Sequence, residues 1–156
     1  MPKAEINKVG KRIMSLSDPT VKMSKSDPKG DIFLKDDVKT IRKKIMSAVT
    51  DLGCEVKYDP ENKPGISNLL VIYAALKDIS IEEAEAHFVN KRYGEFKGEV
   101  ADVVCEELGA VQERYYKIIE NKEYEQVLKD GAIKASKVAN ETLKRVQKAV
   151  GLLTID

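Results

Sequence analysis

Tryptophan is absent from this 156-residue chain, histidine occurs once (His87) and cysteine twice (Cys54 and Cys105). One histidine and two distant cysteines give no cluster at zinc-ligand spacing, so no metal site is expected. Two thiols make no disulfide framework, and their natural compartment is the cytosol. No apolar run approaches the ~20 residues of a membrane span, and no apolar signal region opens the chain. A cytoplasmic protein without a membrane partner is expected. Heptads, internal repeats and low-complexity tracts are missing too. What remains, 42% hydrophobic and 34% charged residues, suits a helical protein with room for one real core.

Net charge is only +1, but it is unevenly spread. Residues 1–50 hold 12 Lys and Arg against 6 Asp and Glu, and the remainder 15 against 20. The positive half contains Lys22-Met23-Ser24-Lys25-Ser26, with Asp18-Pro19 before it and Asp27-Pro28-Lys29-Gly30 after it. Turn chemistry on both sides argues for a loop, neither helix nor strand. Two ammonium groups three residues apart, with hydroxyls beside them, can neutralise a polyphosphate and the charge that grows on leaving pyrophosphate. A solvated lysine-serine turn is the plain alternative. The acidic remainder argues against strong non-specific nucleic-acid binding there.

After the loop the apolar spacing is helical. Asp36-Asp37 open a helix carrying Val38, Ile41, Ile45 and Val49. Its other face bears Lys39, Arg42 and Lys43, read first as solvated and second as attracting phosphate. Residues 50–63 read as loop, and Pro64-Gly65 start a helix with Ile66, Leu69, Leu70, Tyr73 and Leu76 inward. Ser67 and Asn68 are assigned to the helix start before any ligand. Ser80 and Glu83 have capping-box form, and that short helix breaks near Asn90. Residues 93–98 read as a turn before the longest stripe: Val100, Val104, Leu108, Val111, Tyr115 and Ile118. Gly109 inside it suggests close helix approach. A brief helix at Tyr124–Leu128 is expected next. A last one, capped by Asp130 and stopped by Gly151, buries Ala135, Val138, Ala139, Leu143, Val146 and Val150. Its lysines 134, 137, 144 and 148 read as a solvated face before an RNA-contacting one. The fold class is mainly α: a bundle of about six helices preceded by an irregular loop segment, held by tertiary burial.

The string Lys22-Met23-Ser24-Lys25-Ser26 resembles the KMSKS signature of class I aminoacyl-tRNA synthetases. Four further blocks at family spacing resemble the bacterial tryptophanyl branch: Lys8–Ser15 with Asp18-Pro19-Thr20, Lys63–Leu70, Gln112–Tyr115, and Gly131-Ala132. The likeness runs from about Ala4 to Leu152. No counterpart of the family's other signature, the HIGH-type motif of an upstream α/β half, is present.

The resemblance implies that residues 1–34 are the signature-loop tail of a catalytic α/β domain. It makes residues 35–156 a helical, anticodon-binding domain. It implies activation of tryptophan with ATP and charging of tRNA(Trp), with Lys22 and Lys25 as catalytic charge clamp and Lys25 the stronger candidate. Ile13 and Met23 would contact adenine, with plain packing an equal reading for Ile13. Lys22, Met23, Ser24, Lys25 and Ser26 would hold the nucleotide. ATP with magnesium is implied as substrate complex, tryptophan as a substrate held by the other half, and a homodimer as the full enzyme. The chain alone is expected to be inactive. A tyrosyl-tRNA synthetase fragment and a non-catalytic helical module binding tRNA or protein are the competing readings.

Overall fold

The computed structural model describes residues 10–152. Among the described residues five helices follow in order: α1 (Val38–Met46), α2 (Pro64–Lys77), α3 (Ile81–His87), α4 (Tyr93–Glu120) and α5 (Glu123–Ala149). Among the described residues before α1, 10–37 are irregular apart from one antiparallel bridge between Met14 and Lys22. The Lys8-Val9 start of the first resembling block lies outside the described residues.

Local chemistry satisfies free amides where several of these helices begin. The Asp37 side chain accepts from the Thr40 amide at 2.6 Å. Pro64 occupies the first turn of α2, where its missing N–H costs nothing. Ser80 and Glu83 form the reciprocal box, at 3.1 and 2.8 Å. The chain reverses after α3 with Asn90 at φ 67°, a conformation that asparagine tolerates better than most residues.

The chain divides into two compact units between Gln112 and Glu113. The first has a single core built from Ile41 and Ile45 of α1, Leu69 and Leu70 of α2, Ala84 of α3, and Phe96 and Val100 of α4. Phe88, fully buried in it, is edge-on to Tyr73 at 4.8 Å and to Phe96 at 4.7 Å. Leu16, from the irregular segment, is 3% exposed and belongs to the same core. Val38 and Val49, expected in the α1 stripe, are exposed instead, as is Leu76 at the end of α2; Val49 lies past the end of α1.

Two helix boundaries differ from the pattern reading. Residues 93–98 are the opening turns of α4, not a turn before it. Tyr93 is anchored through its hydroxyl to Asp51 at 2.9 Å, and Phe96 is fully buried. That tertiary hold outweighs the ~1 kcal/mol propensity cost of a helical glycine such as Gly94. The expected break at Asp130 is also absent, so the last two expected helices are one. Gln126 donates to Asp130 at 2.9 Å, a one-turn side-chain bond that spans the position. A side chain at Gly109 would meet open space, so that glycine marks no helix contact.

The second unit holds the end of α4 and α5. Tyr115 and Ile118 are exposed, as is Val111 just before the boundary. No residue of α5 is buried, so the stripe from Ala135 to Val146 lies open. Periodicity located the apolar faces of these helices; it carried no information on whether anything in the chain covers them. Gly151, at φ 76°, ends the last helix as expected.

Candidate functional site

Residues 13–16 are the strip on which the signature loop stands. The Met23 amide donates to the Ile13 carbonyl at 3.0 Å and the Ser15 amide to the Val21 carbonyl at 2.9 Å. These two bonds flank the Met14–Lys22 bridge and pair the inbound limb of the loop in antiparallel fashion. Pairing through residues 13 and 15 turns the Met14 amide and carbonyl to the opposite side. There Asn68 of α2 takes both: its Oδ1 accepts from the Met14 amide at 2.8 Å, and its Nδ2 donates to the Met14 carbonyl at 2.9 Å. A carboxamide offers both an acceptor and donors, so it replaces a neighbouring strand. Asn68 is thus a buried anchor, 5% exposed, and not the helix-start residue expected. Ser67 beside it accepts from the Asp59 amide at 2.9 Å.

The outbound limb is tied to the same strip. The Leu16 amide donates to the Gly30 carbonyl, and the Val49 amide to the Leu16 carbonyl, each at 2.8 Å. Asp27, the residue after the signature, closes the neck with its side chain. Its Oδ2 accepts from the Ser17 hydroxyl at 2.7 Å and from the Ser15 hydroxyl at 3.1 Å. Ser15 is 1% exposed, and its oxygen also accepts from the amides of Ser17 and Asp18. The Ser17 hydroxyl holds the Asp27 carboxyl below the usual carboxylate range against a desolvation that pushes it up; Ser15 and the Lys29 and Gly30 amides add to the lowering. A side chain at Gly30 would land on these three groups. Beyond the neck, the buried Asp31 faces Lys44 at 3.8 Å, while Lys44 donates to Asp36 at 2.7 Å.

Lys22, Ser24, Lys25 and Ser26 are exposed. Among the described residues no ion pair or hydrogen bond engages the Lys22 or Lys25 ammonium. The Ser24 hydroxyl accepts from the Ser26 amide at 3.3 Å, and the Asp27 amide donates to the Ser24 carbonyl at 2.9 Å. The tip is therefore one turn carrying two unneutralised cations on a fixed base. Ile13 and Met23, adjacent across the pairing, line one apolar hollow of about 300 Å³ with Ile72, Ala75 and Leu108. Of the basic face of α1, Arg42 is paired with Asp102 of α4, which leaves Lys39 and Lys43 to carry that face's charge. Among the described residues no trio of His, Cys, Asp and Glu gathers in a metal-holding group.

Sequence reasoning missed Asn68, Ser15, Ser17 and Asp27. A signal existed for Asn68: it is polar within the apolar run of α2 that carries Ile66, Leu69 and Leu70, and buried polar groups have partners. For the Asp27 clasp the partners are ten and twelve positions away, a separation with no local pattern.

The family model described as class I tRNA synthetases (W and Y) matches residues 2–109. The tryptophan–tRNA ligase of Bacillus subtilis (strain 168) is 53% identical over 154 residues, which is 97% of this chain and 47% of that protein. That of Halalkalibacterium halodurans is 54% identical over the same length, again 47% of the protein. The chain thus spans about half the length of the curated relatives it matches. Among solved structures, tryptophanyl-tRNA synthetase from Mycoplasma pneumoniae superposes with a TM-score of 0.74 at 30% identity, covering 94% of this chain and 45% of that one. The Campylobacter jejuni enzyme gives 0.72 at 28% identity, over 97% of this chain and 46% of that one. Signature loop, helical order, family match and structural neighbours agree: the chain belongs to the class I tRNA synthetases (W and Y).

Proposed function

We propose that this chain is the carboxyl-terminal part of a tryptophan–tRNA ligase, which uses ATP to join tryptophan to tRNA(Trp) in the cytoplasm. The observation that carries this reading is the pair of unpaired ammoniums at the tip of a loop whose base is fixed. On it, residues 1–34 are the tail of the catalytic α/β domain and residues 35–156 its helical, anticodon-binding partner. Tryptophan is held by the other half of the enzyme, through which the active protein also forms a homodimer.

Lys22 and Lys25 fit the phosphates of ATP, being exposed and free of any counter-ion among the described residues. The Ser24 and Ser26 hydroxyls lie on the same turn and offer neutral donors. The apolar hollow lined by Ile13 and Met23 suits one face of a flat base. Magnesium arrives with the ATP phosphates as part of the substrate, and its charge adds to that of the lysines.

During activation the tryptophan carboxylate attacks the α-phosphorus and pyrophosphate leaves, so negative charge grows on the bridging oxygen. Lys25 lowers the barrier to the extent that it interacts more strongly with that growing charge than with bound ATP.

Tryptophan-dependent ATP–pyrophosphate exchange by the complete reading frame tests the reading. Exchange with tryptophan and not tyrosine is expected; the reverse preference moves the chain to the tyrosine branch, which the same family model covers. No exchange with either sinks the synthetase reading and leaves a helical binding module. In that enzyme Lys25→Ala should reduce kcat by about 100-fold or more with KM for ATP little changed, the pattern of an interaction made in the transition state. Equal losses would reduce Lys25 to a phosphate anchor. The 156 residues alone should give no tryptophan-dependent exchange.

A further inference from the structure

The functional reading gives Lys22 and Lys25 a task that depends on where they stand, and both stand on a tip whose position is inherited from the neck. On the inbound side the neck is a backbone pairing whose far edge is closed by Asn68. On the outbound side, among the described residues, one backbone bond joins the limb to the strip, from Leu16 to Gly30. The rest of the closure there is a side-chain clasp, with Ser15 and Ser17 both donating to one carboxylate oxygen of Asp27.

That clasp is a built feature. Ser15 is buried and makes four polar contacts through one hydroxyl, donating to Asp27, sharing a 3.0 Å contact with Ser17, and accepting from two amides. Asp27 is engaged at both oxygens, since Oδ1 accepts from the Lys29 amide at 3.3 Å. Its own carbonyl receives the Gly30 and Asp31 amides at 3.1 and 3.2 Å. The space for the clasp exists because residue 30 has no side chain. Asp27 lies two residues from Lys25, so its rotation would carry Lys25 with it.

We propose that Asp27 is a positioning residue for the signature loop: clasped by Ser15 and Ser17, it sets the separation of the loop's two limbs and with it the place at which Lys25 meets the phosphates. The role assigned to Asp27 is exerted through Lys25. The loop-closing part of this inference stands on the geometry alone; its catalytic consequence rests on the synthetase reading.

Two measurements on the complete reading frame test it. The first is native-state trypsin cleavage after Lys22 and Lys25, located by mass spectrometry, which reports the freedom of the tip without needing activity. Asp27→Ala should raise that cleavage rate about tenfold, with Ser17→Ala raising it less. The second is ATP–pyrophosphate exchange. Because a misplacement of about 1 Å can cost about 100-fold in rate, Asp27→Ala should lower kcat by about 10- to 100-fold while KM for ATP moves less than about threefold. Asp27→Asn, whose amide oxygen still accepts a hydroxyl, should recover part of the loss. Unchanged cleavage in both variants overturns the proposal, and so does faster cleavage with unchanged kcat. If Asp27→Ala lacks a cooperative melting transition, Ser17→Ala, at an exposed position, decides by the same two readouts. If the unaltered frame shows no exchange with tryptophan or tyrosine, the synthetase reading fails by itself and the cleavage rates alone judge the clasp.

Discussion

Gly65 stands at the first turn of α2, where the backbone passes so close to Val49 that a Cβ would strike the Val49 carbonyl oxygen. The contact is backbone on backbone, so nothing flexible can yield. Gly65→Ala should therefore destabilise the protein by about 1–3 kcal/mol, the usual cost of forcing a methyl into a packed site, read as a lower urea midpoint at unchanged m-value. A cost below about 0.5 kcal/mol, within the range of an indifferent surface change, would mean that the 49–65 contact is looser in solution. The sequence announced Pro64-Gly65 as a helix start and gave no hint of this reason for the glycine. Asn68, three residues on, behaves alike: its helix was legible, its partner 54 residues away was not. Lys22 and Lys25 could be paired from the sequence because they lie within five consecutive residues, and the structure leaves both exposed.

For the helices, the caps were the readable part. Asp37 and Glu83 were picked out as helix-start acids, and both carboxyls are held below their ordinary values. For Asp37 the Thr40 hydroxyl leads, followed by the Thr40 amide; for Glu83 the Ser80 amide leads, followed by the Ser80 hydroxyl. A carboxyl whose folded pKa is depressed contributes stability above its unfolded pKa and loses it as pH falls through the folded one. Urea midpoints should thus fall on acidification below the ordinary carboxylate range. In Asp37→Asn and Glu83→Gln that fall should be shallower, because the variant has no carboxylate to protonate at that cap. Equal slopes for variant and parent would remove these caps from the acid response. Helix ends fixed by distant contacts were not readable. The apolar stripe of α4 opens at Val100, yet the helix already begins at Tyr93, because Tyr93 reaches Asp51, 42 positions away.

At the scale of the whole molecule the two units differ in what shields them. Ile66, Phe88, Phe96 and Val100 of the first are fully buried, while α5 has no buried residue. Amide hydrogen exchange follows the free energy of the smallest opening that exposes the bond. Amides of residues 127–146 should exchange at least about tenfold faster than those of residues 98–104 in the 156-residue chain, since local openings span the range from near zero to the global free energy. Comparable protection would mean that α5 is covered in solution by something the described residues do not supply. The helical character of the whole chain was visible in its periodicity; the share of it that reaches a core was not, because amphipathic spacing is the same for a covered face and an open one.

The loop's neck rests on Leu16, Asn68 and the Val49 amide, and these belong to or touch the same core as Phe88 and Phe96. Its base therefore has no melting transition of its own. On warming, the tip can explore freely while the strip and, with the Asp27 clasp intact, the two limbs keep their spacing until the core itself gives way. Heat should end the loop's geometry and the fold of the first unit in a single event.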